Sequence, residues 1–84
     1  MSEIIMYSSN FCPFCHRAKA LLKKKGAKFR EVNVDFNPGK RNEMRNKSGG
    51  VNTVPQIFIS GEHVGGCDDL FSLESRGLLD GKLK

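Results

Sequence analysis

Residues 3–26 read EIIMYSSNFCPFCHRAKALLKKKG, and three kinds of local order succeed one another within them. Glu3 to Tyr7 is a short apolar run without helical spacing, which reads as a buried strand. Ser8-Ser9-Asn10 is loop. Pro13 stands where a helix can begin, because its missing N–H costs nothing in a first turn. The helix then runs to about Lys25, with Phe14, Ala18, Leu21 and Leu22 on one apolar face and Arg17, Lys19, Lys23 and Lys24 elsewhere. Gly26 supplies a C′ stop. Cys12 and Cys15 form a Cys-x-x-Cys at the point where strand gives way to helix.

Beyond Gly26, Lys28 to Val34 (KFREVNV) alternates apolar and polar residues and predicts a second strand, with Phe29, Val32 and Val34 as its apolar positions. Asn37-Pro38-Gly39 marks a turn and a helix start. Residues 39–47 form a short basic helix with little apolar face beyond Met44, and Ser48-Gly49-Gly50 interrupts it. Gln56 to Ser60 (QIFIS) is a third strand, Gly61-Glu62 a tight turn, and His63-Val64 the start of a fourth strand. Gly65-Gly66 precedes a last helical stretch carrying Leu70, Phe71 and Leu73, and a further short helix is expected over Leu78 to Leu83. The order β-α-β-α-β-β-α is that of an α/β fold, a four-stranded mixed sheet flanked by helices. The intervening helix makes the first two strands parallel with a right-handed crossover. The tight turn makes the last two a hairpin. Cys12 falls at the carboxyl end of the first strand, the edge where α/β sheets collect their sites.

A length of 84 residues leaves room for one small core, so a single domain is expected over residues 1–84. An apolar fraction of 38% with 27% charged residues suits a globular domain rather than a disordered tail. No apolar run approaches the roughly 20 residues that span a bilayer. No basic segment precedes a long apolar stretch near Met1. Neither a membrane partner nor a signal peptide is therefore expected, and the expected location is the cytoplasm. Three cysteines, an odd number, argue against a structural disulfide framework. The net charge of +5 is unevenly placed: residues 16–47 hold eleven of the fourteen lysines and arginines against Glu31, Asp35 and Glu43. A basic half suits an anionic partner or a solvated helix face. Nucleic acid is not the expected partner, since no aromatics are interleaved for base stacking and no binding motif accompanies the charge.

Cys12 stands just before or at a helix start, where unpaired N–H groups and the positive end of the helix dipole stabilise an anion. The thiolate is the reactive form of cysteine, so this is a place for a nucleophile. Cys15, one turn on, is near enough to close a disulfide and lies deeper in the helix. On this reading Cys12 attacks and Cys15 resolves. The alternative is half of a zinc site, with Cys67, His16 and His63 as further ligands. No second paired motif accompanies it, and the strand-to-helix context is that of redox pairs, so no metal is expected. His16 has no carboxylate nearby in sequence to orient it and reads as a surface residue.

Cys12-Pro13-Phe14-Cys15, Thr53-Val54-Pro55 and Gly65-Gly66-Cys67-Asp68-Asp69, in this order over essentially the whole chain, resemble the glutaredoxin family. CHRAKALL, Cys15 to Leu22, is similar to the helix of its small bacterial dithiol members. The resemblance implies a thioredoxin fold and a glutathione-dependent thiol–disulfide oxidoreductase that reduces protein disulfides and glutathione mixed disulfides. It implies a cis Val54-Pro55 bond facing the cysteines, with the Val54 backbone pairing with the cysteinyl part of glutathione as an added strand would. The residues alone leave Pro55 as the first residue of a strand. The resemblance also assigns Phe14, Thr53 and Gly66 to the glutathione site. It gives the γ-glutamyl carboxylate to the backbone at Cys67 and Asp68, and the ammonium to Asp68 or Asp69. The residues alone make Asp68 an N-cap, and both roles are compatible. Cys67 is then a third, non-catalytic thiol near the site and a place for regulatory oxidation.

The chain departs from the family pattern at three positions. Many members carry a lysine three residues before the first cysteine and a cation before Thr-Val-Pro; here these positions are Ser9 and Asn52. Arg41, Arg45 and Lys19 are left as candidates for the glycyl carboxylate. Phe14 stands where tyrosine is commoner, keeping the ring and losing the hydroxyl. The implied partners are glutathione and disulfide-bearing or glutathionylated proteins, with the chain acting as a monomer. Two alternatives accompany this reading. One is a related carrier recharged by thioredoxin reductase. The other is a module bridging an iron–sulfur cluster between two subunits, which members usually do with a single-cysteine motif and which Pro13 disfavours.

Overall fold

In the computed structural model, which describes residues 3–83, the elements run β1 (Ile4–Ser8), α1 (Pro13–Lys24), β2 (Arg30–Asn33), α2 (Pro38–Lys47), β3 (Gln56–Ile59), β4 (Glu62–Gly65), α3 (Cys67–Ser75) and α4 (Leu79–Leu83). They build one sheet in the order β2-β1-β3-β4, with β1 parallel to β2 and the other neighbours antiparallel. This is the expected mixed sheet. Among the described residues no helix is long and apolar enough to cross a membrane.

β1 has a strand on each side and helices over both faces, which is why EIIMY is apolar throughout. Ile4 and Met6 join Leu21 and Leu22 of α1, Leu70 of α3 and Leu79 of α4 in the larger core. Tyr7 points the other way, into a smaller core with Val34, Met44 and Phe58. Each such side chain, fully buried, contributes roughly 1.5–3 kcal/mol. α2 buries just Met44 in this way, so the basic helix is held with little apolar contact. A polar tie supplements it: the Tyr7 hydroxyl donates to Glu43 Oε2 across 2.6 Å. Burial, and then the bond to Glu43, pushes the Tyr7 phenol up to about 12. The two edge strands, β2 and β4, are four residues each, and both carry exposed charge, Arg30 and Glu31 on one and Glu62 on the other.

Three details differ from the sequence pattern. β2 covers Arg30–Asn33 rather than Lys28–Val34, because these four residues are the ones that find partners in Ile5 to Ser8. Val34, just past the strand, is buried, and its N–H still donates to the Ser8 carbonyl at 2.9 Å. The hairpin turns on Ser60-Gly61 rather than Gly61-Glu62. Both residues take positive φ, 51° and 80°, the combination whose twist matches the flanking strands, and β4 therefore begins at Glu62. Finally, the buried face of α1 is Cys15, Ala18, Leu21 and Leu22, and Phe14 is 52% exposed. Phe14 instead lines the open groove beside Cys12, and Cys15 takes the inward position in the first turn.

Candidate active site

The loop after β1 delivers Cys12 to the start of α1 as its N-cap, with extended backbone (φ −121°, ψ 104°) and Pro13 opening the first turn. Cys12 Sγ accepts the Cys15 N–H at 3.1 Å. On its other side the thiol faces the Val54 carbonyl, to which it donates at 3.7 Å. Cys12 and Cys15 are both free thiols. They differ in access: Cys12 retains 9% exposure and Cys15 none. Burial first, and then the neighbouring Cys12 sulfur, pushes the Cys15 thiol up to about 12. The Cys12 sulfur is thus held by a helix-start N–H, while Cys15 lies beneath it as a buried thiol. His16 is exposed, and its Nε2–H donates to the Asn10 carbonyl at 3.2 Å, in keeping with a surface residue.

Beside Cys12 lies an open groove of about 450 Å³. Phe14 from α1 and Thr53, Val54 and Pro55 from the loop before β3 form part of its wall. Gly66, Cys67, Asp68 and Asp69 at the start of α3 form another part, so the residues that the resemblance assigns to glutathione line one groove. Val54-Pro55 is a cis peptide bond. Gly65, at φ 119°, ends β4 so closely against α3 that a Cβ there would collide with the Asp69 carboxylate. Asp69, not Asp68, secures the helix start: its Oδ2 accepts the Gly66 N–H at 3.0 Å, and Gly66 holds the N-cap position. Asp68, one residue inside the helix, is exposed. Cys67 is only 5% exposed, so it is not an open target for oxidation; burial chiefly pushes its thiol up, against a lowering by Arg17.

Two parts of the site escaped the sequence reading. The first is a buried amide. Gln56 is 3% exposed; its Nε2 donates to the Thr53 carbonyl at 3.0 Å and to the Thr53 hydroxyl at 3.3 Å. Its Oε1 accepts from His63 Nε2 at 2.7 Å, and the His63 ring lies on Phe58 with centroids 4.9 Å apart. This chain braces the loop that carries Val54, and a polar residue heading an apolar strand was the available signal. The second is Asp35, whose carboxylate accepts the Ser9 hydroxyl at 2.7 Å and the Asn10 N–H at 2.8 Å, tying the Cys12 loop to the end of β2. No local pattern announces that contact.

The cationic candidates separate. Lys19 pairs with Glu31 at 3.0 Å. Arg41 donates to the Asn52 carbonyl at 2.8 Å, and Arg45 to Asn52 Oδ1 at 3.3 Å, so both guanidinium groups sit against the loop that leads into Thr53. Among the described residues no three His, Cys, Asp or Glu side chains gather as a metal site.

A glutaredoxin family model matches residues 4–64. The chain is 54% identical to Glutaredoxin 3 of Escherichia coli strain K12 over 84 residues, covering 100% of both. Against a glutaredoxin of Pseudomonas aeruginosa it is 48% identical over 83 residues, 99% of this chain and 98% of that one. The solution structure of a glutaredoxin from Brucella melitensis superposes with a TM-score of 0.85 at 54% identity, over 98% of this chain and 88% of that one. A crystal structure of a buckwheat glutaredoxin–glutathione complex superposes with a TM-score of 0.87 at 29% identity, over 98% of this chain and 76% of that one. Identity over the full length, the shared fold and a Cys-x-x-Cys at a helix start agree, and the chain belongs to the glutaredoxin family of thiol–disulfide oxidoreductases.

Proposed function

We propose that this protein is a glutathione-dependent dithiol reductant of glutathione mixed disulfides and protein disulfides, with Cys12 as nucleophile and Cys15 as resolving cysteine. The observation that carries the reading is the N-cap geometry. The Cys12 sulfur accepts a helix N–H at 3.1 Å and stands beside a groove of about 450 Å³, within the usual range for small-ligand sites. The groove suits a short extended peptide with charged ends. The Val54 backbone offers strand-like pairing. The α3 N-terminus offers N–H groups to one carboxylate, and Asp68 offers an acceptor for an ammonium. Arg41 and Arg45, both against the Asn52 loop that leads into Thr53, are the candidates for the other carboxylate, whereas Lys19 pairs with Glu31 away from that loop. The buckwheat relative in complex with glutathione supports the same ligand here.

In the first step the Cys12 thiolate attacks the glutathione-side sulfur of a mixed disulfide. The old S–S bond breaks, a Cys12–glutathione disulfide forms, and the displaced thiolate takes up a proton and leaves. Cys12 is released when a second glutathione thiolate attacks the glutathione sulfur it carries, producing glutathione disulfide. Alternatively Cys15 loses its proton and attacks Cys12, releasing reduced glutathione and leaving an internal disulfide that two further glutathiones reduce. Cys15 is fully buried and must first lose its proton in the second route, which favours the first. Glutaredoxin potentials of about −200 to −230 mV lie within reach of a glutathione pool.

The test is turnover of the mixed disulfide of glutathione and 2-mercaptoethanol, followed as NADPH oxidation. The expected result is turnover with glutathione and glutathione reductase and none with thioredoxin reductase alone. Cys12→Ser should abolish it, by roughly a thousandfold or more, and Cys15→Ser should leave it within about threefold. Equal loss in the two variants would remove the monothiol step, and turnover confined to thioredoxin reductase would remove glutathione.

A further inference from the structure

The groove occupies one flank of Cys12, and the opposite flank is also built. β1 lies between β2 and β3, so the loop of residues 9–12 has the groove on its β3 side and the β2–α2 connection, residues 34–37, on the other. Three contacts lock these loops together: Ser9 and Asn10 to Asp35, and the Asn33 amide to Asn10 Oδ1 at 2.8 Å. This frame holds two phenylalanines out in water. Phe11, next to the nucleophile, is 95% exposed, and Phe36, next to Asp35, is fully exposed. Each ring offers about 150–250 Å² of apolar surface to a partner, and the two stand on loops that the contacts above tie together. Phe36 moreover adopts φ 56°, a conformation that bulky side chains rarely take and that persists where function requires it.

The border of this patch toward α2 is cationic. Lys40 and Arg41 stand in the first turn of α2, just after Phe36, and Arg41 adds, after the Asn10 N–H and the Ser9 hydroxyl, to the lowering of the Asp35 carboxyl. Arg45 reaches Asn52 on the groove side, and the one acid of α2, Glu43, already accepts from Tyr7 and pairs with Lys40 at 3.7 Å. A second copy of this chain would bring the same charges against themselves. An acidic polypeptide would meet them favourably. The patch adjoins Cys12 through Phe11, so a chain seated on it has its own disulfide within reach of the same sulfur.

We infer that Phe11 and Phe36 form a docking edge for the polypeptide part of a disulfide substrate, which carries an apolar side chain beside its disulfide cysteine and acidic residues toward α2. The inference rests on Cys12 being the nucleophile of a glutathione-dependent reductant. It adds a second recognition surface to the groove: its two rings lie outside the groove, and Arg41 borders both.

The probes are glutathione mixed disulfides of three synthetic peptides: one with phenylalanine beside the cysteine and two aspartates beyond it, one with serine for the phenylalanine, and one with lysines for the aspartates. The mixed disulfide with 2-mercaptoethanol is the control. The unaltered protein should favour the first peptide over each of the others by about tenfold in kcat/KM, the scale of one ring leaving water. Phe36→Gly and Phe11→Ser should each remove most of that preference and leave turnover of the control unchanged. Phe36→Gly should also raise Tm, since glycine takes φ 56° without strain, so a lost preference cannot be a loss of folding. Equal kcat/KM for all peptides, or variants that keep the preference, would overturn the docking edge while the control still turns over. Failure of the control in the unaltered protein would overturn both this inference and the reading on which it rests.

Discussion

The two flanks of Cys12 are made of different materials. On the β3 side the site is chiefly main chain: a cis peptide bond, the Val54 carbonyl, a glycine at positive φ and the exposed N–H groups of α3. On the β2 side it is mainly side chain: the Asp35 carboxylate, two asparagines and two rings in water. A backbone surface tolerates changes of side chain and recognises what all peptides share. A side-chain surface is redrawn by single substitutions and recognises what differs between them. The proposed activity, on one common thiol and on polypeptide disulfides, would use both kinds of surface.

Substitutions that leave the cysteines intact test this contrast. The largest effect is expected at Gly65. Alanine there places a Cβ against the Asp69 carboxylate at φ 119° and disturbs the start of α3. Strain and a lost cap together amount to about 2 kcal/mol. Urea unfolding should show that loss, and KM for the small mixed disulfide should rise severalfold. Gly66→Ala, whose Cβ would stand 3.3 Å from the Pro55 carbonyl, should cost less. A Gly65→Ala protein as stable as the parent would mean that main-chain closeness does not hold this flank.

An intermediate effect is expected among the cations. Arg41→Ala should raise KM about fivefold, equivalent to roughly 1 kcal/mol of binding. Lys19→Ala should leave KM alone and change stability by less than about 0.5 kcal/mol, because it removes a surface pair with Glu31. The reverse ranking would move the glycyl carboxylate to the far side of the loop.

The smallest effect is expected at Asp35, and pH reveals it. Its carboxyl is held below the usual range of about 3.8, first by the Asn10 N–H and then by the Ser9 hydroxyl. A lowered carboxyl stabilises the fold above its unfolded value, and that contribution is lost as pH falls through the folded value. At pH 7 Asp35→Asn should therefore melt slightly below the parent, and the two melting curves should converge below pH 3.8. A constant difference at all pH values would mean that the carboxylate charge does not secure the loop.

The same contrast explains what could be read from the residues in order. Main-chain devices leave local marks, since Pro55, Gly65 and Gly66 are needed where the backbone does something unusual, although it takes the family resemblance to read Pro55 as more than a strand start. The strand and helix order followed from EIIMY, from Pro13 and from the glycine breaks. Side-chain devices leave no such mark. Asp35 meets Asn10 across 25 residues, and Gln56 looks like any polar residue at a strand end until its burial and its bond to His63 are seen. Phe14 shares a helix face with Ala18 and Leu21 by spacing as well as Cys15 does, and in the fold Cys15 is the buried one while Phe14 lines the groove.

The four-residue edges of the sheet bear on how such a molecule survives its own clientele. Chains that carry reducible disulfides present unpaired strands when those bonds open, and an unguarded sheet edge would template their addition. Arg30 and Glu31 on one border and Glu62 on the other give an incoming strand too little length and the wrong charge to register. Both borders of the sheet are thereby poor templates for an added strand.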